Sequence, residues 1–156
     1  MKVYFASDHA GFEMKNVLLP FVKDLGHEVF DLGPTELNPE DDYPLFIEKA
    51  ALEVYKDPVG SKAIVIGGSG QGEAMVANRF PNVRAIVYYG GNTDIITLSR
   101  QHNDANVLSF GARFVSLEEA REAVSSWLQT EFSGDNRHVR RLKEIDELEV
   151  QLYKNP

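Results

Sequence analysis

The sequence predicts a three-layer α/β/α fold, a doubly wound, Rossmann-like sheet of five parallel strands with a long helix added at its C-terminal end. Three observations carry that prediction. Short apolar runs alternate with segments of helical periodicity along the whole chain. No two apolar runs are joined by a hairpin signal, and strands that cannot return through a hairpin must run parallel, with both faces of the sheet covered. The run Ala63-Ile64-Val65-Ile66 opens into Gly67-Gly68-Ser69-Gly70-Gln71-Gly72-Glu73, a strand entering a Gly-rich turn ahead of a helix.

In chain order, Lys2 to Ala6 is the first strand. After Ser7-Asp8-His9-Ala10-Gly11, the segment from Phe12 to Leu25 carries apolar residues at helical spacing until Gly26 closes it. His27 to Leu32 reads as the second strand, Gly33-Pro34 as a turn and the polar stretch through Asp42 as a loop. The second helix begins at Tyr43-Pro44 and runs to about Tyr55; proline suits the first turn because its missing N–H has no helical partner there. The third strand, 62–67, leads through the glycines to a helix from about Gly72 to Arg79. Arg84 to Tyr88 is the fourth strand, about Thr93 to Gln101 the fourth helix and Asn106 to Phe110 the fifth strand. Ser116-Leu117-Glu118-Glu119 is a capping box that opens a helix ending near Thr130. The last helix, about 135–153, is charge-rich and has no later strand to cross to, which points to packing on a partner chain.

A chain of 156 residues fits one domain, 1–156, large enough to bury a core without metals or disulfides. Apolar residues make up 43% and charged residues 26%, too apolar for a disordered chain. The count of zero cysteines removes disulfides, thiolate nucleophiles and thiolate metal sites, and agrees with a reducing, cytoplasmic setting. The N-terminal run turns polar at Ser7-Asp8-His9, unlike a signal peptide, and no stretch approaches the roughly 20 apolar residues that span a bilayer. A net charge of −8 argues against a nucleic-acid partner, which needs a field that attracts phosphate. Arg137, His138, Arg140 and Arg141 form a local basic cluster, suited to a small anionic ligand.

The glycine segment suggests both a cradle and a base. A Gly-rich strand-to-helix turn exposes backbone N–H groups that favour a negatively charged oxygen, and Glu73 is the only ionisable side chain in the loop. An anion hole beside a proton acceptor implies enolate-type chemistry. A dinucleotide fingerprint is not supported, because the spacing is G-x-G-x-G after a third strand and the residue about 20 positions on is Tyr88 rather than an acid. A phosphate-binding Walker loop would need a following Gly-Lys-Ser/Thr. The plain alternatives are a tight turn for the glycines and a dipole-facing acid for Glu73. Likewise, Asp8-His9 reads as a helix cap with a surface histidine, and His102-Asn103-Asp104 as a helix end. Against these stands the expectation that Asp8, His9, the glycine loop, Arg113 and His102-Asn103 all project from neighbouring strand ends, supplying acid, base and anion-binding groups to one place. Histidine spacing gives no support for zinc. Arg137, Arg140 and Arg141, at i, i+3 and i+4, share one helical face, for which a solvated or ion-paired role is the ordinary reading.

Seven motifs in order then resemble a known family: S-D-H-A-G-F at 7–12, D-Y-P at 42–44, G-G-S-G-Q-G-E at 67–73, A-N-R-F at 77–80, S-R-Q-H-N-D-A-N-V-L at 99–108, G-A-R at 111–113 and R-H-V-R-R at 137–141. They look like the ribose-5-phosphate isomerase B family, which includes galactose-6-phosphate isomerase subunits. The resemblance covers residues 2 to about 150. It implies aldose–ketose isomerisation of a phosphorylated sugar, ribose 5-phosphate to ribulose 5-phosphate, through a cis-enediolate with no metal or cofactor. By the same resemblance Asp8 and His102 open the furanose ring and Glu73 shuttles the proton between C1 and C2. The family's other branch uses a cysteine at the position of Gly67. The amides of Gly70, Gln71 and Gly72 would hold the enediolate oxygens, with Ser69 nearby as a hydroxyl donor and Gly68 as a further substrate-binding position. His9, Arg113, Arg137 and Arg141 match phosphate-binding positions, and Asn103 a contact to a substrate hydroxyl. The family works as a homodimer or homotetramer whose active site is shared between subunits. Competing readings are a hexose-phosphate isomerase, acting on allose 6-phosphate or as a galactose-6-phosphate isomerase subunit, and a sugar-phosphate sensor without turnover, which would need the arginines but not Glu73, Asp8 and His102.

Overall fold

The computed structural model describes residues 1–154. Its elements are β1 (Lys2–Ser7), α1 (Phe12–Asp24), β2 (Glu28–Asp31), α2 (Pro44–Lys56), β3 (Ser61–Gly67), α3 (Gln71–Ala77), β4 (Ala85–Tyr88), α4 (Asp94–Asn103), β5 (Val107–Gly111), α5 (Leu117–Gln129) and α6 (Asn136–Lys154). The five strands are parallel and lie in the order β2-β1-β3-β5-β4. Every expected strand and helix is present, with ends shifted by a residue or two. The largest shifts are two residues, at α3, whose regular part stops at Ala77 instead of Arg79, and at α4, which runs on to Asn103 instead of Gln101.

Two cores follow from the period-2 alternation of the strands. Val3 and Phe5 of β1, Ile64 and Ile66 of β3, and Leu108 and Phe110 of β5 face α1, α4 and α5, where Leu18, Val22, Ile96, Val124 and Trp127 are fully or almost fully buried. Tyr4, Ala6, Ala63, Val65 and Val107 point the other way, onto Ile47, Ala50, Ala51 and Val54 of α2 and Ala77 of α3. Helices on both faces bury nearly all of the central strand β3, which explains why its sequence is a continuous apolar run and not an alternating one.

The chain leaves β1 toward β2 on one side and reaches β3 on the other. The gap between the C-terminal ends of β1 and β3 is therefore the point where the winding reverses, the usual ligand crevice of such sheets. Local capping fits the element starts. Pro44 occupies the first turn of α2, and the Ser116 hydroxyl accepts from the Glu119 N–H at 3.2 Å at the start of α5. The capping box is closed on one side only, since the Glu119 carboxylate instead accepts from the Tyr88 hydroxyl at 2.7 Å. Among the described residues, no helix is long and apolar enough to cross a membrane.

Candidate active site

Three segments meet at the reversal point: Ser7–Ala10 after β1, Gly68–Glu73 after β3 and Arg113–Phe114 after β5. They enclose an open cavity of about 410 Å³, lined by Asp8, His9 and Ala10, by Gly68, Ser69, Gly72 and Glu73, and by Arg113, Phe114 and Tyr43. Parallel pairing sets their mutual heights. Ser7 is level with Ile66 and Gly67 with Gly111, so the chain leaves all three strands at one edge of the sheet.

Glu73 lies in the first turn of α3 and is 4% exposed. Burial holds its carboxyl above the ordinary 4.5; the charge of Asp8 adds to the rise, and its own main-chain N–H opposes it. A carboxylate removed from water in this way is a stronger base than one on the surface. Gly67 makes room for it, because a Cβ at that position would overlap the Glu73 carboxylate. Gly70 turns the chain into α3 with a φ of +76°, a left-handed conformation that suits glycine, and its carbonyl accepts from the Ser109 hydroxyl at 2.6 Å. The glycines therefore shape this loop for more than chain reversal. Gly68, Ser69 and Gly72 face the cavity, whereas Gly70 is buried behind it and the Gln71 side chain lines the neighbouring surface. The Gln71 N–H is directed at the Ser69 hydroxyl, 3.4 Å away.

Asp8 is nearly buried, and its Oδ1 accepts from the Gly11 N–H at 3.1 Å, closing the turn that leads into α1 while it lines the cavity. It is not the N-cap of α1; that position is Gly11. His9 is not a free surface histidine. Its Nδ1 lies 2.7 Å from Asp41 Oδ1, and the same oxygen accepts from the His9 main-chain N–H at 3.0 Å. The Asp41 hydrogen bond, with Asp8 nearby, raises the His9 pKa above 6.5, against desolvation and the Arg113 charge. The Arg113 guanidinium lies over Gly68, where a Cβ would approach it at 3.2 Å.

His102 and Asn103 do not join this group, contrary to the expectation of a single strand-end cluster. They end α4, which returns from the C-terminal edge of the sheet to its N-terminal edge before β5 begins. The length of β5, about 16 Å for five residues, separates the two edges. At that far edge the His102 ring meets His138 of α6 with 4.3 Å between centroids, and the Ser133 N–H donates to the Gln101 carbonyl at 3.1 Å. Arg137 and Arg141 lie on the same part of α6, both exposed. His138 does not behave as a member of the basic cluster. It is 3% exposed, and burial, followed by the charges of His102 and Arg137, lowers its pKa. The expected site residues thus form two sets: Asp8, His9, Gly68, Ser69, Gly72, Glu73 and Arg113 at one edge, and His102, Asn103, Arg137 and Arg141 at the other.

Tyr43 and Phe114 at the cavity, and Asp41 behind His9, go beyond what the sequence marks as site residues. Tyr43 belongs to the D-Y-P motif, which by itself marks a helix start; its ring packs on Gly72, leaving no room for a Cβ there. Asp41 sits in the acidic run Glu40-Asp41-Asp42, where nothing marks it apart from its neighbours. Among the described residues, no group of three or more His, Asp or Glu side chains is placed to hold a metal ion.

Residues 3–145 match the family model described as Ribose/Galactose Isomerase. Ribose-5-phosphate isomerase B of Mycobacterium tuberculosis is 38% identical over 149 residues, covering 96% of this chain and 90% of the relative. The protein of the same name from Escherichia coli is 38% identical over 148 residues, covering 95% of this chain and 96% of its own length. The crystal structure of ribose-5-phosphate isomerase B from Mycoplasma genitalium with bound ribulose-5-phosphate superposes with a TM-score of 0.91 at 35% identity, covering 95% of each chain. With a match of that extent in sequence and in fold, this chain belongs to the ribose/galactose isomerase family.

Proposed function

We infer that this chain interconverts ribose 5-phosphate and ribulose 5-phosphate. The observation that carries the reading is Glu73, a buried carboxylate at the floor of a polar cavity, with Gly72 and the Ser69 hydroxyl beside it. Removing a proton alpha to a carbonyl needs a base stronger than a hydrated carboxylate and a means of holding the oxyanion that forms. Burial of Glu73 supports the first requirement. For the second, the reading assigns the Gly72 amide and the Ser69 hydroxyl, with the Gly70 and Gln71 segment shaping the turn around them. Glu73 would take the proton from C2 of the aldose and return it to C1 of the cis-enediolate.

The cyclic sugar has no free carbonyl, so a ring-opening acid and base must act first. Asp8 is in the cavity; His102 is at the other edge of the sheet. The charge balance has the same gap. Asp8 and Glu73 offset Arg113 and His9, which leaves little positive charge for a phosphate dianion, while Arg137 and Arg141 stand exposed beside His102. Both gaps close if two copies pair so that the far edge of one faces the cavity of the other, an isologous arrangement that makes two identical sites. We therefore propose a homodimer, or a homotetramer built from it, in which His102, Asn103, Arg137 and Arg141 of one copy complete the site holding Asp8, His9, Arg113 and Glu73 of the other. In this reading residues 1–156 act as a single catalytic domain in the cytoplasm.

The deciding experiment incubates the purified protein with ribose 5-phosphate and follows ribulose 5-phosphate, alongside a panel of five- and six-carbon aldose phosphates. Conversion of the pentose above the hexoses supports the assignment. Binding without conversion of any of them would replace it with a sensor.

A further inference from the structure

Asp41 accepts two hydrogen bonds from one residue, the main-chain N–H and the Nδ1 of His9, through a single oxygen. The two residues are 32 positions apart in sequence, and the Asp41 side chain is 5% exposed. Its second oxygen, Oδ2, is buried and has no hydrogen-bond partner among the described residues. Nearly all the hydrogen bonding of this buried carboxylate is therefore spent on His9, which lines the cavity beside Arg113.

This geometry has a chemical consequence. With its proton on Nδ1 and directed at Asp41, a neutral His9 ring carries a lone pair on Nε2, and a lone pair repels an anion. Only the imidazolium has an N–H on both nitrogens. We propose that Asp41 is a positioning residue, which orients His9 and holds it as the imidazolium so that Nε2–H donates to the phosphate group of the substrate. The charged and titratable groups around His9 are consistent with this. Asp41, from the loop before α2, and Asp8, from the turn before α1, favour the charged ring, while Arg113, after β5, and partial desolvation oppose it, with a net rise above 6.5. Phosphate binding is then linked to the protonation of His9, and the linkage passes through Asp41.

The inference rests on the phosphorylated-sugar reading, so its test has one arm that needs no turnover. In that arm, NMR follows the titration of the His9 ring in the unmodified protein and in Asp41→Asn, with and without inorganic sulfate as a dianion probe that does not itself titrate in this range. Expected are a midpoint above 6.5 in the unmodified protein, a further rise with sulfate and a lower midpoint in Asp41→Asn. In the kinetic arm, Asp41→Asn retains an acceptor for both N–H groups but loses the charge. Its KM for ribose 5-phosphate should rise about tenfold near pH 7 and approach the unmodified value as the pH falls, with the loss appearing in KM more than in kcat. The titration of the substrate phosphate is common to both proteins and cancels in the ratio. An ordinary His9 midpoint in the unmodified protein, an Asp41→Asn midpoint equal to it, or a KM ratio independent of pH would each overturn the proposal. Absence of any isomerisation by the unmodified protein would overturn the functional reading and leave the NMR arm to judge Asp41.

Discussion

The carboxylate of Glu73 fills the space that a side chain at Gly67 would occupy. One is the last residue of β3 and the other lies in the first turn of α3, so the two face each other across the turn that joins strand to helix. A base brought in at position 67 and a base brought in at position 73 are alternative occupants of one place. The use of a cysteine at the first position by one branch of the resembled family, and of a glutamate at the second by the other, thereby acquires a steric reason.

Gly67→Ala is accordingly expected to displace the Glu73 carboxylate. Turnover should fall about 100-fold from misplacement of the base, with about 1–3 kcal/mol of stability lost to overpacking. Steady-state kinetics and urea unfolding read the two effects. Turnover and stability both close to those of the unmodified protein would show that the loop has slack.

Glu73→Gln should separate activity from stability. Loss of the proposed base should cost turnover about 10³-fold. The effect on stability has the opposite sign. The folded carboxyl titrates above 4.5, so the native state binds its proton at higher pH than the unfolded state, and the cost of the charged form builds up as pH rises from 4.5 to the native value and is complete above it. Glu73→Gln should therefore be the more stable protein at neutral pH and lose that advantage as the pH falls through the native value toward 4.5. Chemical denaturation at several pH values checks it, and an advantage that grows on acidification would contradict it.

The proposed shared site predicts complementation. Glu73→Gln and His102→Ala should each be inactive alone. In a mixed dimer one site carries both changes and the other carries neither, so refolding the two variants together in equal amounts should restore about a quarter of full activity. A site contained within one chain would stay inactive in every mixture.

Asp104 ties down the end of α4, next to His102 and Asn103. It closes α4 in a left-handed conformation with a φ of 44°, and its two oxygens accept from Arg84 Nη2 and Arg100 Nη1, each at 2.8 Å. Lys62 is close by, its ammonium pushed down to about 8 by burial first and then by Arg100, with Asp104 opposing. Asp104→Ala leaves these cations together without their carboxylate, and about 2 kcal/mol of stability should be lost, less than for a fully buried pair because Asp104 is partly exposed. Asp104→Asn, which tolerates the left-handed backbone, should lose less. Thermal or urea unfolding of the two variants tests the order.

Much of this protein was legible in its sequence because helical periodicity, strand runs and turn residues are local properties. Leu18 and Val22 announce a helix face, and Pro44 and Ser116 announce helix starts, whatever surrounds them. Asp8, Glu73 and Arg113 could be brought together in advance because each directly follows a parallel strand, and parallel strands end at one edge. His102 and Asn103 were misplaced by the same reasoning. They precede β5 instead of following it, so the return of α4 carries them to the opposite edge. The bond from Asp41 to His9 left no trace in the sequence, because it joins a featureless acidic loop to a turn 32 residues away.

The sequence by itself determined the doubly wound parallel sheet and the family. Only the tertiary structure decided which of the candidate groups share a cavity, which carboxylate is removed from water and which histidine pairs with a buried aspartate. Element type follows from the spacing of side chains along the chain, whereas proximity, burial and protonation depend on what the folded chain packs around each group.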